Sequence, residues 1–112
     1  MQHALAEFAR ERDWTQFHKT RNLVLALAGE VGELAAEFQW LADDDVERAL
    51  QDSKKRAAIG SELADVLSYI LRLADVAGFD LKEEFQKKMN LNSERYPADK
   101  VKGSAAKYTD YE

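Results

Sequence analysis

Apolar and polar positions along the chain recur at helical spacing nearly everywhere, and strand alternation is almost absent. Residues 2 to 12 read as a short amphipathic helix with Leu5, Phe8 and Ala9 on its apolar side. "DWTQFHKT" is a connector rich in aromatic and polar groups. A long helix is predicted from about Arg21 to Leu41, and "ADDD" offers cap residues for a short one around Val46 to Leu50. A second long helix runs from about Lys54 to Ala77 and stops at Gly78, a good residue for a left-handed helix end. Asp80 can cap a third, from about Leu81 to Arg95, with Glu83 completing a capping box. Pro97 ends it, and residues 97–112 carry no period and read as an irregular tail.

Charge complicates this pattern in one place. From Leu23 to Phe38 the only charged side chains are Glu30, Glu33 and Glu37, on a helix with no other wet side. At 100° per residue, Leu23, Leu27, Val31, Leu34, Phe38 and Leu41 form one stripe. The three glutamates lie about 60° to 120° to one side of it. In the second long helix Leu63, Leu67, Ile70, Ala74 and Ala77 form the stripe. Glu62, Asp65 and Tyr69 lie to the same rotational side. If the two helices pack antiparallel, stripe against stripe, these acidic edges meet, and Glu30, Glu33, Glu62 and Asp65 converge.

Converging carboxylates repel one another unless a cation neutralises them. All-oxygen ligation at i, i+3 on two helices suits a hard divalent ion, Mg²⁺ above all, with open positions for water and phosphate oxygens. Carboxylates three apart are also common on solvated faces, and a chain with 21 acidic residues supplies many such pairs by chance. The apolar flanks of Glu30 and Glu33 and the matching second pair favour the metal reading. A carboxylate-bridged di-iron site fits poorly, since neither His3 nor His18 completes a Glu-x-x-His pair.

Composition narrows the class. One domain of residues 1–112 is expected. The net charge of −5 leaves no basic surplus for a nucleic acid polymer. The absence of cysteine excludes disulfides, thiolate metal sites and a cysteine nucleophile. The longest apolar run, "LVLALAG", is far short of a membrane span, and "MQHALAEFARERDW" has no signal-peptide core. A cytoplasmic protein with no membrane partner is therefore expected.

The pattern Glu-x-x-Glu, 28 residues, then Glu-x-x-Asp resembles the metal-binding signature of the MazG-like all-α nucleoside triphosphate pyrophosphohydrolases. "ERDWTQFHKTRNLVLALAGEVGELAAEFQW", "ELADVLSYILRLA", "KMNLNSERYP" and "KGSAAKYTDY" resemble its dCTP pyrophosphatase branch in order and spacing. The resemblance implies an all-α, MazG-like antiparallel helical bundle completed by oligomerisation, as a homotetramer built from two dimers. It implies hydrolysis of dCTP and related pyrimidine deoxynucleotides to the monophosphate and pyrophosphate. Glu30, Glu33, Glu62 and Asp65 would be the Mg²⁺ ligands and catalytic carboxylates, and Trp14, Thr15, Gln16, Phe17, His18, Trp40 and Tyr69 the substrate contacts. Where that branch has a base-pocket histidine, this chain has Leu5, which bears on base preference. The alternatives are a broad-specificity pyrophosphohydrolase and a non-catalytic, cation-binding helical module. The two tryptophans also have a plain reading as packing aromatics.

Overall fold

The computed structural model describes residues 1–103. Six α-helices follow one another: α1 (Gln2–Glu11), α2 (Thr20–Ala36), α3 (Asp43–Gln51), α4 (Ser53–Ala77), α5 (Leu81–Arg95) and α6 (Ala98–Val101), with a single 3₁₀ turn at Thr15–Phe17. No strand occurs among the described residues, so the all-α expectation holds. The chain divides into two compact units, Met1–Gly78 and a second beginning at Phe79.

Local chemistry accounts for most boundaries. Asp52 caps α4, its side chain accepting from the Lys55 N–H at 2.9 Å, and Asp80 caps α5 through the Glu83 N–H at 3.1 Å. Each such cap stabilises its helix by about 1 kcal/mol. Gly78 closes α4 at φ 80°, a left-handed conformation that any side chain would strain. After α1, Asp13 takes φ 57°, and the Trp14 N–H folds back onto the Ala9 carbonyl at 2.9 Å. Aspartate tolerates this region better than most residues, so the chain turns there without glycine.

Three boundaries depart from the sequence reading. The helix expected to reach Leu41 ends at Ala36, and i→i+3 bonds take over (Glu37 N–H to Leu34, Phe38 N–H to Ala35, Leu41 N–H to Phe38). No Gly or Pro marks the change. The three aspartates 43 to 45 do not cap α3 but fill its first turn, where they complement the positive end of the helix dipole. Part of the expected irregular tail forms α6; the remainder lies outside the described residues.

In the first unit α4 is the hub, with α2, α1 and α3 packed on it. Three pairings fix the sense of α2 against α4: His18, just before α2, meets Arg72; Glu30 meets Glu62 and Asp65; Glu37 meets Lys55. One series ascends while the other descends, so the helices are antiparallel, as expected. The stripe-to-stripe expectation is corrected. On α2 the half-buried or buried positions are Leu23, Ala26, Leu27, Glu30 and Leu34, followed past its end by Glu37 and Phe38, with Glu30 taking the place in the seam expected for Val31. On α4 they include Ile59, Glu62, Val66, Tyr69 and Leu73, with Arg72 and Ala74 buried as well. Leu63 and Leu67 stay 53% and 41% exposed, beside exposed Val31 and Ile70. Ala9, Leu23, Ile59 and Ala74 are the buried apolar residues among those described.

The second unit carries α5, on which Lys87 bridges Glu83 at 3.2 Å and Glu84 at 3.6 Å. Such exposed pairs contribute little. Phe79, Phe85 and Met89 are exposed there.

Candidate metal centre and adjoining cleft

The packing of α2 on α4 sets carboxylates into the seam rather than beside it. One oxygen each from Glu30, Glu62 and Asp65 lies within 4.8 Å of the other two. Glu33, exposed on α2, stands beside this trio and raises the pKa of both Glu30 and Glu62 by its charge and a hydrogen bond. The sequence reading therefore named four residues that the fold brings together. Their i, i+3 spacing on two antiparallel helices is the reason.

The cluster concentrates like charge in a half-buried seam. Glu30 and Glu62 are half-buried, and the Oε2 atom of each is buried without a hydrogen-bond partner. An orphaned buried carboxylate oxygen is costly, and interiors rarely leave one. Burial is the largest cause lifting the Glu30 carboxyl above its ordinary value, followed by the charge of Glu33 and a hydrogen bond with it. For Glu62 burial again comes first, then the charges of Glu33 and Asp65. A divalent ion would satisfy the orphaned oxygens and cancel the repulsion together, and hard oxygen donors suit Mg²⁺. The residues fit such an ion. Glu37 lies one turn on, held by the Lys55 ammonium at 2.8 Å.

Beside the cluster opens a cleft of about 440 Å³. Leu5 and Phe8 of α1 line it, with Trp14 and His18 from the connector and Asp65, Ser68, Tyr69 and Arg72 from α4. Asp65 thus belongs to both cluster and cleft. The Trp14 ring meets Phe8 edge to face at 5.6 Å, and the Arg12 guanidinium covers the other ring, 3.6 Å from the Phe8 centroid. These contacts hold the aromatic wall in place. His18 Nδ1 accepts from Arg72 Nε at 3.0 Å, and Arg72 NH1 donates to Asp75 at 3.0 Å. Burial, and then the Arg72 charge, hold the His18 pKa below its ordinary value.

Of the expected substrate contacts, Trp14, His18 and Tyr69 line the cleft. Thr15, Gln16 and Phe17 form the 3₁₀ turn between Trp14 and His18, and they are exposed. Trp40 does not line the cleft. It lies past the end of α2, which stops at Ala36 and not at the expected Leu41, and is 88% exposed. Leu5 does line it, so the position at which the sequence departs from the family pattern is part of the wall. Sequence reasoning missed Arg72, which is buried in that wall. A signal existed: from Val66 to Ala74 it is the only charged residue, an isolated cation in an apolar run.

A helical bundle with a carboxylate cluster in its seam and an aromatic-walled cleft alongside is the frame of a metal-assisted, small-ligand site. The chain belongs to the MazG-like family, whose model matches residues 26–111. It is 52% identical over 105 residues to dCTP pyrophosphatase 1 of Mus musculus, a match covering 94% of this chain and 62% of that protein. It is 50% identical over 105 residues to dCTP pyrophosphatase 1 of Homo sapiens, with the same shares covered. The chain thus spans 62% of the length of these curated relatives. The crystal structure of a pyrophosphatase from Archaeoglobus fulgidus DSM 4304 superposes with a TM-score of 0.78 at 37% identity, covering 84% of this chain and 86% of that one.

Proposed function

We propose that this protein is a divalent-metal-dependent nucleoside triphosphate pyrophosphohydrolase acting on dCTP and related pyrimidine deoxynucleotides. The observation that carries the reading is the pair of orphaned buried oxygens, Glu30 Oε2 and Glu62 Oε2, facing Asp65 at the mouth of an aromatic-walled cleft. The names of the similar proteins support the same chemistry.

Glu30, Glu33, Glu62 and Asp65 would hold Mg²⁺, which when bound neutralises charge on the phosphate oxygens. The protein's part is to position and to move a proton. Trp14 offers a flat apolar face for a base, a contact worth roughly 1–3 kcal/mol and tolerant of base identity. Tyr69 and His18 supply polar edges beside it. The cleft reaches the cluster at Asp65, so a base held against Trp14 extends its phosphates toward the carboxylates. Hydrolysis between the α and β phosphates adds one water across a P–O bond and releases the monophosphate and pyrophosphate. A cluster carboxylate takes the proton that the attacking water loses.

The reading extends to residues 1–112 as one functional domain, in line with a family match that runs across both compact units. It includes self-association, since Val31, Leu63, Leu67 and Ile70 leave apolar area uncovered within one chain, and the family resemblance implies a homotetramer of two dimers. It also places the protein in the cytoplasm with the nucleotide pool, with neither membrane nor nucleic acid polymer as partner. No helix among the described residues is long and apolar enough to cross a membrane.

Incubation of the protein with each dNTP and Mg²⁺, with products resolved, tests the reaction. Monophosphate and pyrophosphate, abolished by EDTA, are expected. Diphosphate and orthophosphate, or activity that survives EDTA, would overturn it. Mg²⁺ binding without turnover of any nucleotide would leave a non-catalytic cation-binding module instead. Equal turnover of purine and pyrimidine triphosphates would leave a broad-specificity hydrolase.

A further inference from the structure

Arg72 is the one buried charged residue among those described, and nothing in the hydrolysis itself requires it. Its two bonds explain its place. The NH1 group is anchored by Asp75 one turn on, and Nε donates to the Nδ1 atom of His18, which is 54 positions away in sequence. A guanidinium carries donors only and stays charged in proteins. The His18 Nδ1 must therefore present its lone pair to Arg72, and the ring proton of the neutral imidazole must sit on Nε2. A protonated ring would set N–H against N–H and bring two positive charges together. Burial of the ring, which strips the imidazolium of water, disfavours the charged form first, and the Arg72 charge adds to it. Both residues line the cleft with Trp14, Asp65 and Tyr69.

We propose that Arg72 is a specificity-determining positioning residue, which locks His18 as a dedicated Nε2–H donor toward a carbonyl oxygen of the bound base. This rests on the nucleotide reading of the cleft given above. With Nδ1 engaged, His18 can give a hydrogen bond and cannot accept one from an exocyclic amino group. Cytosine, uracil and thymine all carry a ring carbonyl; adenine carries none. A site with a committed polar group rejects ligands that leave it unpaired. Arg72 thus contributes selectivity for carbonyl-bearing bases, at a position where Leu5 supplies none.

Long-range ¹H–¹⁵N spectra of the wild-type, metal-free protein at neutral pH test the first half directly. The expected pattern is an unprotonated Nδ1 and a protonated Nε2 for His18. A protonated Nδ1, or a ring averaging both tautomers, overturns the proposal without any variant. Arg72→Met keeps length and apolar contact while removing the donors. It should let the His18 tautomers average and should lower the dCTP-to-dATP ratio of kcat/KM by about tenfold, mostly through KM. Arg72→Lys retains a buried cation and a donor, so it should restore the tautomer and most of the ratio. An Arg72→Met protein that keeps the wild-type ratio overturns the proposal; if that variant does not fold, the lysine variant and the wild-type spectrum decide it. A wild-type protein that turns over no nucleotide overturns the hydrolase reading, while the ¹⁵N pattern still decides whether Arg72 sets the tautomer.

Discussion

The two faces of α4 reverse the usual arrangement of a surface helix. Toward α2 it presents Glu62, Val66 and Tyr69, all half-buried, with Asp65 at the rim. Away from that seam it exposes Leu63, Leu67 and Ile70. A helix selected only for stability would exchange them, since burying leucine is favourable and burying an unpaired carboxylate is costly. The inversion implies that each face is completed by something other than this chain's own core. The seam has charge that a cation would satisfy, and the outer face has apolar area that another protein surface would cover. The comparison therefore separates stability from function on a single helix, and each face can be attacked alone.

The largest expected effect comes from the seam. Glu62→Gln removes one charge without changing size, and it should lower kcat/KM by at least about a hundredfold. Helix content by circular dichroism should stay the same. The metal-free variant should melt at a higher temperature than the wild type, because the like charge that helps to lift Glu30 is gone. A variant that unfolds instead would make Glu62 a structural residue. Glu33→Gln should also nearly abolish turnover with fold intact, and its exposure makes unfolding still less expected.

The outer face should respond in the opposite way. Leu67→Asp places a charge in the middle of the exposed apolar strip and leaves the seam alone. Light scattering should shift from an oligomer to a monomer mass at micromolar concentration, with helix content retained. A wild-type protein already monomeric at that concentration would break this half of the comparison, and the exposed leucines would need another partner.

How much of this was legible in the sequence differs between the faces. The four carboxylates were legible because each i, i+3 pair sits on the edge of an apolar stripe, on the same rotational side in both helices, so a modest rotation brings both pairs into the seam together. That rotation was not legible. The stripe of Leu63, Leu67 and Ile70 is the most apolar side of α4, and burial of the most apolar side is the correct default for a chain that folds alone. The seam instead takes Glu62 and Tyr69, a choice that the proposed cation and ligand account for. The end of the long helix was missed for a simpler reason: α2 tightens at Glu37 without a stop residue, and the apolar period of the sequence runs on past it. The Arg72–His18 bond joins residues 54 apart, and no local pattern announces such a pairing.

A smaller effect follows from proton linkage. Glu30 and Glu62 have folded-state pKa values raised above the ordinary 4.5, so the folded state holds their protons more tightly than the unfolded one. At low pH both states are protonated and the pair costs nothing. As pH rises through the unfolded value, the unfolded state loses its protons first, and the folded protein is progressively destabilised until the folded values are passed. Metal competes with those same protons. The rise in melting temperature on adding Mg²⁺ should therefore be small near pH 4.5 and largest above neutrality. His18, with a lowered pKa, adds the opposite trend below about pH 6.5, where the unfolded chain gains a proton that the folded one resists. Repeating the titration with Glu62→Gln separates the two, since that variant keeps the His18 trend and loses most of the metal response. An Mg²⁺ shift independent of pH would place the ion away from this cluster.

The smallest effect belongs to Gly32, on α2 between Val31 and Glu33, and it sharpens where the free surface lies. A Cβ built there meets nothing within 4 Å, so the chain's own packing gives no reason for glycine. Glycine inside a helix costs about 1 kcal/mol relative to alanine, mainly through the backbone freedom lost on folding. If that surface faces solvent in the working protein, Gly32→Ala should stabilise it by about that amount, raising the melting temperature by about 4 °C. If a second copy brings its backbone against this side of α2, the added methyl meets it. The melting temperature should then fall, and the assembled mass measured by light scattering should fall with it. We expect the gain, because this chain leaves open space at Gly32 while Leu63, Leu67 and Ile70 expose the apolar strip of α4. A loss of stability together with dissociation would move the interface from the outer face of α4 to the glycine side of α2.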